Sequence, residues 1–280
     1  MAAPTATLEG RPRVEKLSVI RLGDIQFLNS WPVTYALRMG RAGGGAAVTS
    51  GTPTEISRRL LSGELDASAV SSLLYLKHEE ELAAVPGFCI RAEGAVGSVL
   101  VISRKPLESL RWKKIGVTNT GATTPVLLKI LMARRGFKME GEVTSLRYPE
   151  ILEEYPAALL IGDEALAASR QARNVFLWDL SASWTQWTGL PMVFALWAVR
   201  RRLVEQDPDL PGRIQGLLAQ SHAWGKAHPK ALIAAMQEVF PWPAAFFKQY
   251  LGRLSYTLDP KAWAGIRRLA REASNIGELT

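Results

Sequence analysis

The feature that most constrains this chain is a repeated unit: a short apolar run, a break at small polar residues, then a helical segment. It occurs as "RLGDIQFLNSWPVTYAL" from residue 21, "AAVTSGTPTEISRRLLSG" from 46, "LDASAVSSLLYL" from 65, "KIGVTNTGATTPVLLKILMARRG" from 114 and "AALLIGDEALAAS" from 157. Strands alternating with helices at this spacing imply a mostly parallel sheet covered on both faces. Local signals agree. Pro32 falls in a first helical turn, where its missing N–H costs least, and Asn29 or Ser30 can cap the free amides. The next helix starts at Pro53 or Thr54 and ends before Gly63.

With 280 residues the chain exceeds the size that one hydrophobic core serves comfortably, so two lobes are expected. The strand–helix pattern restarts near Trp112, and the apolar "PMVFALWAVRR" reads as a strand returning to the first lobe. Everything from Leu203 to Leu279 is helical in pattern, punctuated at "DPDLPG", "AHPK", "FPWP" and "LDP". The expectation is a flexible leader over 1–17, the first part of lobe one over 18–103, an inserted second lobe over 104–190, and a return over 191–280 with C-terminal helices. Such an order describes an α/β, two-lobed, periplasmic-binding-protein-like (type II) fold with a ligand cleft between the lobes.

Composition narrows the chemistry. Lys+Arg number 34 against 26 Asp+Glu, a net charge of +8, which favours anionic partners in general. The basic residues form no long block and carry no zinc-finger or RNA-binding signature, so nucleic acid is not expected, and the excess either attracts a small anionic substrate or is a solvated face. No apolar stretch suits a signal peptide or a membrane span, which points to a cytoplasmic protein without a membrane partner. The single cysteine, Cys89, lies in "AAVPGFCI" and reads as a buried, inert thiol. His78, His222 and His228 have no partners at metal-ligand spacing, so no metal is expected. Nucleophile elbow, Walker loop and dinucleotide fingerprint are all missing; "GRAGGG" has glycines in the wrong framing.

What remains is a set of hydroxyl and amide side chains at successive strand-to-helix junctions: Asn29 and Ser30, Ser71 and Ser72, then Thr118, Asn119, Thr120, Thr123 and Thr124. In an open α/β sheet these junctions lie at the carboxyl ends of strands, where ligands bind. Free N–H groups at helix amino termini attract carboxylates, and Gly121 lets the backbone approach a ligand closely. Each such residue is also an ordinary cap. Asp163 in "IGDEAL" either orients a substrate hydroxyl or caps the helix behind it. Trp178 and Trp197 read as core, whereas Trp184 and Trp187 either wall the cleft or pack between lobes.

"GDIQFLNSWPVTYAL" resembles the amino-terminal signature of the menaquinone-biosynthesis family that includes chorismate dehydratase of the futalosine route. In that family a strand ends in an aromatic-Leu-Asn-Thr/Ser-x-Pro turn. "ELDASAVSSLLYL", "GSVLVISRKPLESL", "LLIGDEALAAS" and "WDLSASWTQWTGLPMVFALWAVR" resemble later blocks of the family in the same order. The likeness runs from residue 18 to about 275. One departure is "TNTGATTPVLL", where the family commonly has a serine-rich turn; threonine keeps the hydroxyl, but Pro125 alters the helix start.

The resemblance implies the two-lobed binding-protein fold and the dehydration of chorismate to 3-[(1-carboxyvinyl)oxy]benzoate without a cofactor. For that reaction Asn29 and Ser98 are the expected catalytic residues, positioning the substrate's own enolpyruvyl carboxylate to take the proton, with a protein carboxylate, Asp163, as the alternative acceptor. An amide is scarcely basic, so Asn29 orients rather than abstracts. Ser30, Ser71, Ser72, Thr120, Gly121, Thr123, Thr124 and Asp163 are the expected substrate-binding residues. Three rival readings share the fold: a solute-binding protein of a transporter, the sister enzyme that releases dihydroxynaphthoate, and the effector-binding half of a transcription regulator. No histidine lies between 79 and 221 to serve the sister enzyme, and no helix-turn-helix segment precedes Val19. The oligomeric state is left open.

Overall fold

The computed structural model describes residues 19–110, 114–118, 121–138 and 140–279. The expected leader over 1–17 and the expected ligand residue Thr120 lie outside the described residues. In the first part of the chain, strands and helices alternate as β1 (Ile20–Ile25), α1 (Trp31–Arg38), β2 (Ala46–Gly51), α2 (Pro53–Leu61), β3 (Ala67–Ser71), α3 (Ser72–Lys77) and the long β4 (Leu82–Ala92). There follow β5 (Val99–Ser103), β6 (Lys114–Val117), α4 (Thr123–Arg134), β7 (Glu140–Val143), α5 (Ile151–Glu154), β8 (Ala157–Ile161), α6 (Gly162–Gln171), β9 (Phe176–Asp179) and α7 (Leu180–Thr188). The chain ends with β10 (Met192–Arg200), α8 (Arg201–Gln206), α9 (Leu210–Ala227), α10 (Pro229–Val239), α11 (Ala244–Leu251), β11 (Leu254–Leu258) and α12 (Pro260–Asn275).

Two sheets result. The first runs β11-β4-β10-β3-β1-β2 and the second β7-β6-β8-β5-β9. Each has the expected parallel nucleus: β1 pairs parallel with β2 and β3, and β6 pairs parallel with β7 and β8. Each is also interrupted by an antiparallel strand, β10 in the first and β5 in the second. The reason is geometric. The chain leaves the first sheet at the carboxyl end of β4 and enters the second from the same side, so β5 must run against its neighbours; β10 makes the reverse crossing.

Three features differ from the sequence reading. β5 was expected to close the first part of lobe one, but it pairs with β8 and β9, so the second lobe begins before Val99 rather than at 104. The C-terminal region is not wholly helical, because β11 adds an edge strand beside β4. Nor do the C-terminal helices serve only the first lobe. Leu232, Met236, Phe247, Tyr250 and Leu269 share a core with Val101, Ile115, Leu127 and Leu131 of the second lobe. Apolar faces on α10, α11 and α12 can be buried only where both lobes present apolar surface, which the sequence pattern does not reveal.

Local chemistry explains the helix limits. The Thr52 hydroxyl accepts from Glu55 N–H at the start of α2, with Pro53 in the first turn, and Gly63 ends the segment at φ +86°. The Asp259 carboxylate caps α12 through Ala262 N–H and is pinned by a bidentate pair with Arg91 at 2.7 and 2.8 Å.

Candidate functional site

A cavity of about 310 Å³ opens between the two sheets, and among the described residues five strand-to-helix junctions converge on it. Ile25, Phe27 and Asn29 come from the junction of β1 and α1; Pro53, Thr54, Ser57 and Arg58 come from the start of α2; Ser71 and Leu74 come from β3 and α3. The second lobe contributes Ser98 and Val99 ahead of β5, Gly121 to Thr124 ahead of and within α4, and Ile161 and Gly162 where β8 meets α6. Phe194, Ile90 and Leu61 add apolar wall. Carboxyl ends of parallel strands and amino ends of helices thus meet around one space, which is where such folds bind anionic ligands.

The Asn29 turn is held from beneath. Asp24 is fully buried below it, and its carboxylate accepts from Ser30 Oγ at 3.2 Å, Ser50 Oγ at 3.3 Å and Arg38 Nη1 at 3.3 Å. Burial pushes the Asp24 carboxyl up, and these donors together with Thr34 pull it back. Ser30 Oγ also lies within 2.9 Å of the Ile25 and Phe27 carbonyls, and Tyr256 Oη donates to the Asn29 carbonyl at 3.0 Å. With its backbone fixed from both sides, the Asn29 side chain faces the cavity and makes no hydrogen bond to another described residue. Ser98 lies beside the buried Tyr250, whose hydroxyl burial drives upward so that it stays protonated.

The cavity gathers several of the residues expected at the site. Asn29, Ser71, Ser98, Gly121, Thr123 and Thr124 line the cavity. Ser30, Ser72 and Asp163 do not. Ser30 is buried in the turn beneath Asn29 and does not cap α1 through its side chain. Ser72 is buried too, and its hydroxyl donates to the Val193 carbonyl at 2.7 Å, tying α3 to β10. Asp163 does not cap α6 and is not among the residues lining the cavity: its carboxylate reaches across to the first lobe and accepts from Leu28 N–H at 3.1 Å. Leaving water pushes its carboxyl up to about 7.

A second bond spans the lobes. Thr123 Oγ1 accepts from Leu73 N–H at 2.9 Å, so a hydroxyl at the start of α4 caps α3 from across the cleft. Gly162 completes the contact. Its φ is +62°, and a Cβ there would come within 2.7 Å of the Phe27 ring, so only glycine permits this approach. Trp184 is fully buried with Nε1 donating to the Pro191 carbonyl at 3.2 Å, and Trp187 packs between the Arg134 and Arg268 guanidiniums, each 4.8 Å from its ring. Neither lines the cavity.

Sequence reasoning missed Phe27, Thr54, Ser57, Arg58 and Phe194. The α2 residues carried a signal, since Thr54, Ser57, Arg58 and Leu61 share one helical stripe. Among the described residues no histidine lines the cavity, and no group of three or more His, Cys, Asp or Glu side chains is assembled to hold a metal. No described helix is long and apolar enough to cross a membrane.

The two sheets, the paired crossings and the interlobe cavity define a periplasmic-binding-protein-like fold. Solved structures bear this out: a protein from Archaeoglobus fulgidus superposes with a TM-score of 0.79 at 19% identity, covering 93% of this chain and 98% of the other. The periplasmic aliphatic sulphonate binding protein of Escherichia coli does so with a TM-score of 0.67 at 12% identity, covering 92% and 87%. Sequence is more specific than shape. The family described as "Menaquinone biosynthesis" matches residues 20–275, and the chain belongs to it. Among curated relatives it is 31% identical to the chorismate dehydratase of Thermus thermophilus, covering 89% of this chain and 93% of the relative. It is 28% identical to the 1,4-dihydroxy-6-naphtoate synthase of the same organism, covering 93% and 96%.

Proposed function

We propose that the chain is a cytoplasmic lyase that removes water from chorismate to give 3-[(1-carboxyvinyl)oxy]benzoate, within menaquinone biosynthesis by the futalosine route, and needs no cofactor. The observation that carries this reading is the joint placement of Asn29 and Ser98 in a cavity edged by helix amino termini, in a chain related to a chorismate dehydratase.

Chorismate is a dianion whose ring is one dehydration short of aromatic. The C–H bond at the carbon bearing the enolpyruvyl ether breaks, and the proton passes to the substrate's own enolpyruvyl carboxylate. The electron pair forms the new double bond, and the ring hydroxyl departs as water by taking that proton from the enolpyruvyl carboxyl, which is thereby returned to its carboxylate form. The enzyme's work is then to align and to stabilise charge. The Asn29 amide, fixed by Tyr256 and the Asp24 network, orients the carboxylate that accepts the proton. Ser98 Oγ donates to the same carboxylate and helps to hold it over the C–H bond. Junction amides and the hydroxyls of Ser71, Thr123 and Thr124 hold the substrate, while Phe27, Ile90 and Phe194 wall the ring.

Incubating the purified chain with chorismate and following the aromatic product by absorbance and mass spectrometry tests the reading. Asn29→Ala and Ser98→Ala should each lower kcat by about 100-fold or more, the size of loss seen when a positioned donor is removed. Tight binding of chorismate without product would favour a solute-binding protein. Full turnover by both variants would remove these two residues from the mechanism.

A further inference from the structure

Arg58 is the one ionisable side chain among the described residues that line the cavity. It shares a stripe of α2 with Thr54, Ser57 and Leu61, which also line it. Its side chain is 63% exposed, which puts it at the mouth rather than the floor, and its Nη1 lies 3.0 Å from Glu64 Oε1. Glu64 does not depend on that contact. Its Oε1 also accepts from Ser62 Oγ at 3.0 Å, and its Oε2 pairs with Arg59 Nε at 3.2 Å.

From this geometry we infer that Arg58 is the specificity residue for a second carboxylate: it exchanges Glu64 for a carboxylate of the incoming ligand and thereby selects dianions over monoanions. Glu64 is the internal competitor that holds the guanidinium at the mouth until then. The exchange is easy in this direction because an exposed pair contributes little. A guanidinium fork meeting a ligand carboxylate in a partly apolar cavity makes two charge-assisted bonds instead. Glu64 keeps Ser62 and Arg59 after Arg58 leaves, so no acid is stranded. The remaining junctions offer neutral hydroxyls, an amide and backbone N–H groups, which bind one carboxylate without discriminating strongly against a ligand that has only one.

The inference rests on the dehydratase reading for its substrate, and the experiment separates the two. Steady-state kinetics with chorismate on Arg58→Gln should show KM raised about tenfold with kcat within about twofold of the parent, the pattern of lost ligand binding rather than lost chemistry. The salt dependence of kcat/KM should flatten, Arg58→Lys should recover part of the loss, and Glu64→Gln should lower KM about threefold by removing the competitor. A parent enzyme that turns over chorismate beside an Arg58→Gln variant with unchanged KM and unchanged salt dependence overturns the inference and leaves the dehydratase reading standing. If the parent does not turn over chorismate, calorimetry with isophthalate and benzoate decides. Preference for the dianion in the parent and its loss in Arg58→Gln upholds the inference without the dehydratase reading; no preference in the parent, or the same preference in the variant, overturns it.

Discussion

Asp163 gives the sharpest trial of the interlobe contact. In the native chain its carboxylate takes the Leu28 N–H across the cleft, and burial pushes its pKa from 3.8 to about 7. An unfolded chain releases this proton near the ordinary value, so between about pH 4 and 7 the native state binds more protons than the unfolded one and stability falls as pH rises. The fall is complete above pH 7, where both states are ionised. A tenfold change in proton affinity is worth about 1.4 kcal/mol, so the full displacement amounts to about 4 kcal/mol. Asp163→Asn keeps an oxygen to accept from Leu28 and removes the titration. Urea unfolding followed by circular dichroism at about pH 4.5 and about pH 8 should therefore show the parent losing about 3 kcal/mol more than the variant across that interval. Asp24 and Asp179, also driven upward by burial, and Asp66 and Asp259, drawn downward by their arginine and backbone partners, titrate alike in both proteins and cancel in the difference. Equal pH slopes in parent and variant would refute the reasoning, because Asp163 would then not be giving up water to reach Leu28.

Thr123→Val removes the acceptor that caps α3 while keeping the shape, and it should cost about 1–3 kcal/mol in urea unfolding by stranding the Leu73 N–H. Gly162→Ala meets both a left-handed φ and the Phe27 ring, so it should lower stability by at least about 1–2 kcal/mol and weaken chorismate binding measured by calorimetry. Cys89 is fully buried, its thiol is pushed up to about 12, and its Sγ lies 3.2 Å from the Thr257 carbonyl. Iodoacetamide at about pH 8 should leave it unmodified in the native chain and alkylate it readily in urea, as mass spectrometry will record.

Much of the cavity lining was legible in the sequence, because capping and ligand binding draw on the same chemistry at the same places. Junctions rich in Ser, Thr and Asn were therefore found, and Asn29, Ser71, Ser98, Gly121, Thr123 and Thr124 do line one cavity. Which hydroxyl faces that cavity was not legible. Ser71 and Ser72 are adjacent, yet one lines the space and the other ties α3 to β10, a difference set by backbone direction at the turn. Arg58 was not singled out, since nothing local distinguishes a charge facing water from one at the mouth of a cleft.

Periodicity and junction chemistry by themselves determined the α/β alternation, the two lobes and the return strand β10, since these rest on contacts between residues near in sequence, while the family was read from the resemblance of several motifs in the same order. The tertiary structure alone decided that β5 belongs to the second sheet, that β11 and the C-terminal helices seal both lobes, and that Asp163 and Thr123 hold N–H groups 135 and 50 residues away. Those choices depend on what each strand edge and each free amide meets across the cleft, and a donor's distant partner leaves no periodic trace in the chain.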